Sequence, residues 1–206
     1  MSKTQSQTTE QSILEAAEFL FLEKGYAKTS TTEIARVVGC NQALVHYYYR
    51  SKENLFRHIF ENKIKMFVTD LLQMSDDDQP FEENLKKRIS SHFDMLKANR
   101  KLPILLFNEV STNTDIAKKM FADISAFPLS LVARIQQELD AEYKSGRICK
   151  TDAKALLFTI FSVNVMAFIA EPVLKMFVNN SEEQFDKILE LRKAENIQLV
   201  LKSLRP

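Results

Sequence analysis

Apolar residues recur at three- and four-residue spacing along the chain, which predicts an all-α protein. Ile13, Ala16, Ala17, Leu20 and Phe21 share one face of a helix over residues 12–24, which Gly25 ends; residues 1–11 read as a flexible arm. A short helix over 31–38 starts at Ser30, an N-cap with Glu33 three residues on to complete a capping box, and stops at Gly39. Asn41 caps a third helix over 42–48, whose apolar or aromatic positions are Leu44, Val45, Tyr48 and Tyr49. Helix, tight glycine turn and helix is the spacing of a helix-turn-helix. Two helices this short bury too little apolar surface alone, so the first helix is the expected scaffold. Lys52 opens a long helix to about Met74, with Leu55, Phe56, Ile59, Phe60, Ile64, Phe67, Leu71 and Leu72, and the acidic segment 75–80 marks a turn. Periodicity then predicts helices over 82–97, 103–110, 115–126, 128–144, 153–177 and 182–204.

The head carries a more specific signal. ILEAAEFLFLEKGY (Ile13 to Tyr26), TSTTEIARVVGCNQALVHYYY (Thr29 to Tyr49) and SKENL (Ser51 to Leu55), in that order and without gaps, resemble the DNA-binding domain of TetR-family transcriptional regulators. The likeness covers about the first third of the chain. Beyond it, only the order of helices and the GRI…D pattern from Gly146 to Asp152 look familiar. The resemblance implies a three-helix DNA-binding head over 12–55, joined by a long helix to a helical ligand-binding and dimerisation domain over 56–206. It also implies that the last two long helices pair with those of a second copy as a four-helix bundle. Tyr48 and Tyr49 fall on the family's aromatic core positions. His46 departs from the family, which commonly has Tyr there.

Composition changes this picture little. The chain has 206 residues, 45% hydrophobic and 27% charged, with 3 Gly and 5 Pro, which suits long helices with few tight turns. The net charge of +1 is uninformative, but from Lys24 to His58 six basic residues (Lys24, Lys28, Arg36, Arg50, Lys52, Arg57) face two acidic ones (Glu33, Glu53). Such an excess is an electrostatic footprint for a polyanion, although charge alone fits a solvated basic face equally well. Cys40 and Cys149 lack metal-ligand or CxxC spacing, which argues for a reducing compartment. Cys40 is either a packing residue or, if exposed and reactive, a redox sensor. The polar N-terminus holds no secretory apolar core, and the longest uncharged apolar stretch, Ala155 to Ala170, is shorter than a membrane span of about 20 residues. A cytoplasmic location, no membrane partner, no cofactor and no metal are expected.

The DNA-facing candidates follow from helix-turn-helix geometry. Ser30 and Thr31, at the start of the second helix, are placed to meet a phosphate. Asn41 begins the recognition helix, whose N-terminal residues meet base edges in the major groove. Gln42 is the first choice for direct readout, since its amide pairs bidentately with adenine, and Ala43 suits a thymine methyl. His46 and Tyr47, a turn further on, reach toward sugar and phosphate; His46 either bonds phosphate more strongly when protonated or is a neutral surface imidazole. Lys52 adds a charge at the next helix N-terminus.

Ala155 to Ala170 is apolar nearly all round, so it is covered on more than one side, by a second copy or at the centre of one chain's core. The resemblance favours the homodimer, a palindromic site on double-stranded DNA, and release of a repressor by a small hydrophobic effector. Candidate effector contacts are Phe67, His92, Phe93, Asn108, Phe121, Asn164 and Phe168, apolar or aromatic positions with a few polar groups for orientation. Asn164 fits a ligand contact or a polar pair across the dimer seam. An enzyme is disfavoured: three His and no nucleophile, metal-ligand or phosphate-loop motif offer little chemistry. A carrier or interaction module with a silent head is disfavoured by Gln42, Tyr47 and Lys52, which suit DNA.

Overall fold

A computed structural model describes residues 3–73, 78–112, 118, 126–179 and 181–206, without the side chains of 3–7, 64–73, 126–128 and 130. The described elements are α1 (Lys3–Lys24), α2 (Thr31–Val38), α3 (Gln42–Tyr49), α4 (Lys52–Gln73), α5 (Phe81–Ala98), α6 (Lys101–Thr112), α7 (Ala126–Lys144), α8 (Ala153–Ile169), α9 (Glu171–Met176) and α10 (Glu182–Ser203). The expected all-α class holds. Two units divide the chain, Met1–Lys65 with Ile104–Ile124, and Met66–Pro103 with Ser125–Pro206.

The first unit is built on α1 to α4. Ile13, Ala17, Leu20 and Phe21 of α1, Ile34 and Ala35 of α2, Val45 and Tyr49 of α3, and Leu55, Phe56, Ile59 and Phe60 of α4 are buried together. Phe56 is the aromatic centre, 5.2 Å from Phe21, 4.9 Å from Tyr26 and 4.3 Å from Phe60 between ring centroids. Because Ile59 and Phe60 belong to this core, the unit runs to Lys65, past the boundary expected after Leu55. The arm expected over 1–11 is instead helical from Lys3. Once α1 is nucleated, each added polar residue gains a backbone bond at small cost. The Tyr49 hydroxyl also donates to the Glu10 carbonyl at 3.3 Å.

The second unit packs α8 against α5, α7 and α10. Phe93, Leu96, Val165, Ala167, Phe168, Phe185 and Leu189 form one core cluster. Through it runs a polar chain. The Asn164 amide donates to the Ile89 carbonyl at 3.1 Å and to His92 Nδ1 at 3.2 Å, and its oxygen accepts from Asn196 at 3.0 Å. Asn196 also donates to the Val163 carbonyl at 2.9 Å and accepts from Arg192 at 2.8 Å. The buried Arg88 guanidinium meets Glu138 in a two-pronged pair at 2.5 and 2.7 Å, the geometry a desolvated cation requires.

The single helix expected over 153–177 is two. Ala170 ends α8, and Pro172 stands in the first turn of α9. Proline lacks the N–H that would continue α8 and its ring clashes with the preceding turn, whereas a first turn tolerates it. α6 starts at Lys101, before the Pro103 expected to open it, because Pro103 falls in its first turn. The helix expected over 115–126 lies almost wholly outside the described residues.

Candidate nucleic-acid interface

Local chemistry fixes the head's turn. Ser30 Oγ accepts from the Glu33 N–H at 3.1 Å, capping α2. The return half of the expected capping box does not form, because the Glu33 carboxylate accepts from Lys24. Gly39 ends α2 at φ 73°, a left-handed conformation costly for any residue with a Cβ, and the Cys40 N–H reaches back to the Ala35 carbonyl at 2.9 Å. Asn41 Oδ1 then caps α3 by accepting from the Ala43 N–H at 3.0 Å. Burial raises the pKa of the Cys40 thiol. That keeps it from the reactive thiolate and favours packing over redox sensing.

α3 leaves Ala43, His46 and Tyr47 exposed and Gln42 half-buried, while Tyr49 is buried and Tyr48 half-buried. Tyr47 has 67% of its surface open. Three adjacent tyrosines thus divide as helical geometry requires, two inward and one outward. Gln42 is held: its amide nitrogen donates to Thr31 Oγ1 at 3.0 Å and lies 3.4 Å from His46 Nε2. His46 Nδ1 lies 3.1 Å from the Arg50 carbonyl. Arg50 closes the helix in a three-residue turn at φ 64°, ψ −42°, with the Ser51 N–H donating to the Tyr49 carbonyl at 2.7 Å. Ser51 Oγ accepts from the Asn54 N–H at 3.1 Å and starts α4.

Lys52 turns inward. Its ammonium donates to the carbonyls of Tyr26 and Thr29 at 2.9 and 3.0 Å and sits 4.1 Å from the Tyr26 ring centroid. Burial lowers its pKa, against an opposing field from Glu109. Of the other basic residues from Lys24 to Arg57, Lys24, itself exposed, pairs with Glu33 and Arg57 with Glu61, while Lys28, Arg36 and Arg50 are exposed on the surface. Arg50 was missed as a candidate because its turn, with positive φ at a residue other than glycine, is not written in its residue type.

The effector candidates separate. His92, Phe93, Asn164 and Phe168 are buried in the second unit, Asn108 is exposed on α6, and the side chains of Phe67 and Phe121 lie outside the described residues. Asn164 is fully buried and satisfied within its own chain, so neither of its expected roles describes it here. Its partner Asn196 was missed, although it falls in helical register with the buried Phe185, Leu189 and Val200. Burial lowers the His92 pKa to about 4, and its ring stacks on Phe161 at 6.0 Å. One cleft of about 340 Å³ is lined by Pro80, Phe81, Arg147, Ile148, Leu204 and Arg205, none of them a residue expected to contact an effector. On the outside of α8, Phe158, Phe161 and Met166 expose 73%, 55% and 59% of their surfaces, and the adjoining α10 exposes Leu191 and Leu199. Among the described residues no group of acidic, His and Cys side chains could hold a metal, and no helix is long and apolar enough to cross a membrane.

Residues 13–59 match the family of bacterial regulatory proteins named for tetR. An uncharacterised helix-turn-helix transcriptional regulator of Bacillus subtilis, YhgD, is 24% identical over 154 residues, 74% of this chain and 78% of its own. A bacterial regulatory protein of the tetR family from Rhodococcus superposes with a TM-score of 0.75 at 20% identity, over 100% of this chain and 98% of its own. The transcriptional regulator FadR of Bacillus subtilis, solved with stearoyl-CoA, superposes with a TM-score of 0.71 at 18% identity, over 95% and 99%. At such identities the structural likeness is one of fold.

Proposed function

The chain is a transcriptional regulator of the tetR family, and from that premise we propose that it acts as a homodimeric repressor released from a palindromic DNA site by a small hydrophobic effector. The observation that carries the DNA reading is the presented face of α3. Gln42, Ala43, His46 and Tyr47 stand on a helix whose start, end and inner face are fixed by Asn41, Arg50 and the head core. Gln42 and Ala43, at the N-terminal end, read base edges; Tyr47, Ser30 and Thr31 meet the backbone. Lys52 acts from within, by tying the start of α4 to the Tyr26 and Thr29 carbonyls.

The dimer reading rests on Phe158, Phe161 and Met166 of α8 beside Leu191 and Leu199 of α10. Apolar side chains exposed in this number on two adjoining helices suit an isologous interface. Two heads on a two-fold axis place their recognition helices about 34–36 Å apart, one turn of DNA, or somewhat more. An effector acts only through a difference in affinity between two spacings of the heads; tenfold corresponds to about 1.4 kcal/mol. Long-chain acyl thioesters head the panel of compounds to try, because the FadR structure holds one.

The test is fluorescence anisotropy with DNA from upstream of the protein's own gene and with random DNA. Preference for the former by about 10³, with two chains per site, is the expected result. Equal affinity for both refutes sequence-specific repression at that site. DNA affinity unchanged across acyl-CoAs and other lipophilic compounds counts against the effector.

A further inference from the structure

We propose that Thr31 and His46 are positioning residues that make Gln42 read DNA as a hydrogen-bond acceptor only, so that it selects a base carrying an exocyclic amine, adenine or cytosine, rather than adenine alone. The inference rests on Gln42 being a base reader. Its logic is in the hydrogens. The Arg50 carbonyl can only accept, so the His46 nitrogen 3.1 Å away, Nδ1, carries the proton. A neutral imidazole protonated at Nδ1 has a bare Nε2, which can only accept. The group facing it at 3.4 Å is therefore the NH2 end of the Gln42 amide. The same nitrogen donates its other hydrogen to Thr31 Oγ1 at 3.0 Å. Both hydrogens are thus committed within the protein, and Oε1 is left for the groove.

An unrestrained glutamine pairs with adenine through two bonds, Oε1 accepting from N6 and the amide nitrogen donating to N7. Here the second bond is forfeited. What remains, an acceptor, is satisfied alike by adenine N6 and cytosine N4, whereas guanine and thymine present acceptors against it in the major groove. The Thr31 hydroxyl, accepting from Gln42, keeps its own hydrogen for a phosphate. Base contact and backbone contact are consequently coupled across the turn between α2 and α3.

The experiment is selection from a randomised duplex library with the full-length protein, followed by affinity measurement on the four single-base variants at the position that Gln42→Ala alone renders indifferent. For the wild type, adenine and cytosine should agree within about threefold, with guanine and thymine weaker by at least about tenfold. The double change Thr31→Val, His46→Phe should free the amide and raise adenine over cytosine by about tenfold. Thr31→Val alone should move the same way and keeps the His46 bond to Arg50, so its folding is not in question. A wild type that already favours adenine tenfold over cytosine, or variants with the wild-type profile, overturns the inference. If Gln42→Ala changes no position, or no sequence is enriched at all, the DNA-reading role itself fails.

Discussion

Replacing Asn164 by Ala removes the middle of the hydrogen-bonded chain that runs inward from Arg192 through Asn196 to His92 and joins α10, α8 and α5. The change strands one hydrogen of the Asn196 amide and leaves His92 Nδ1 without that donor, and it opens a void the size of the lost amide. A stranded buried group costs about 1–3 kcal/mol, and the void adds to it, so the change destabilises by ~2–5 kcal/mol. For a chain of this length that lowers Tm by roughly 10 °C. Removing Asn196 as well eliminates one stranded group, so the double variant should cost ~1–2 kcal/mol less than the sum of the singles. Urea unfolding followed by circular dichroism, at one fixed protein concentration because a dimer is expected, gives the numbers from the shift in midpoint at constant slope. A loss below ~1 kcal/mol for Asn164→Ala, or strict additivity with Asn196→Ala, refutes the argument that these groups satisfy one another.

Three further outcomes are expected. The His92 imidazole titrates at about 4 when folded and near 6.5 when unfolded. The unfolded chain therefore binds the extra proton between those values, and stability is full above about pH 6.5 and declines toward pH 4 by roughly 3 kcal/mol. His92→Asn should flatten that decline in urea midpoints taken across the range, and an identical slope in both proteins contradicts it. Arg50→Gly relieves a conformation that costs a side-chain-bearing residue about 1–3 kcal/mol, offset by ~0.4–1 kcal/mol of added freedom in the unfolded chain. A gain near 1 kcal/mol, with weaker DNA binding from the lost charge, is the expected pair of results; a loss of stability speaks against strain. Phe158→Glu places a charge on the exposed apolar face of α8 and should yield monomers by sedimentation, so a persistent dimer would place the interface elsewhere.

The head was legible because its signals are local. Ser30, Gly39 and Asn41 each act on backbone groups two to five residues away, so their types place the ends of α2 and the start of α3 closely. What escaped depends on partners distant in sequence. Lys52 looked like a phosphate ligand until the Tyr26 and Thr29 carbonyls met it. Gln42 looked unrestrained because Thr31 belongs to another helix. Glu33 completed a capping box on paper, but Lys24 lies within its reach. In the body, Asn164 on an apolar face announced a buried polar contact without naming it, and its partner Asn196 sat in the matching register of α10. Pro172 was a readable signal, outweighed by the apolar run through which it was read.

The inward turn of Lys52 and the pairing of Lys24 and Arg57 bear on counterion release. Twelve cations on two heads, all neutralising phosphates, would displace enough condensed ions to give log K against log[salt] a slope of about −11. With Lys52 turned inward and Lys24 and Arg57 paired with carboxylates, Lys28, Arg36 and Arg50 remain of those six on each head, so about six phosphates are neutralised and the slope falls to about −5. Binding so tuned keeps more of its strength as ionic strength rises, and leaves a larger share of recognition to the neutral side chains of α3. A regulator of this kind discriminates by the groove more than by charge.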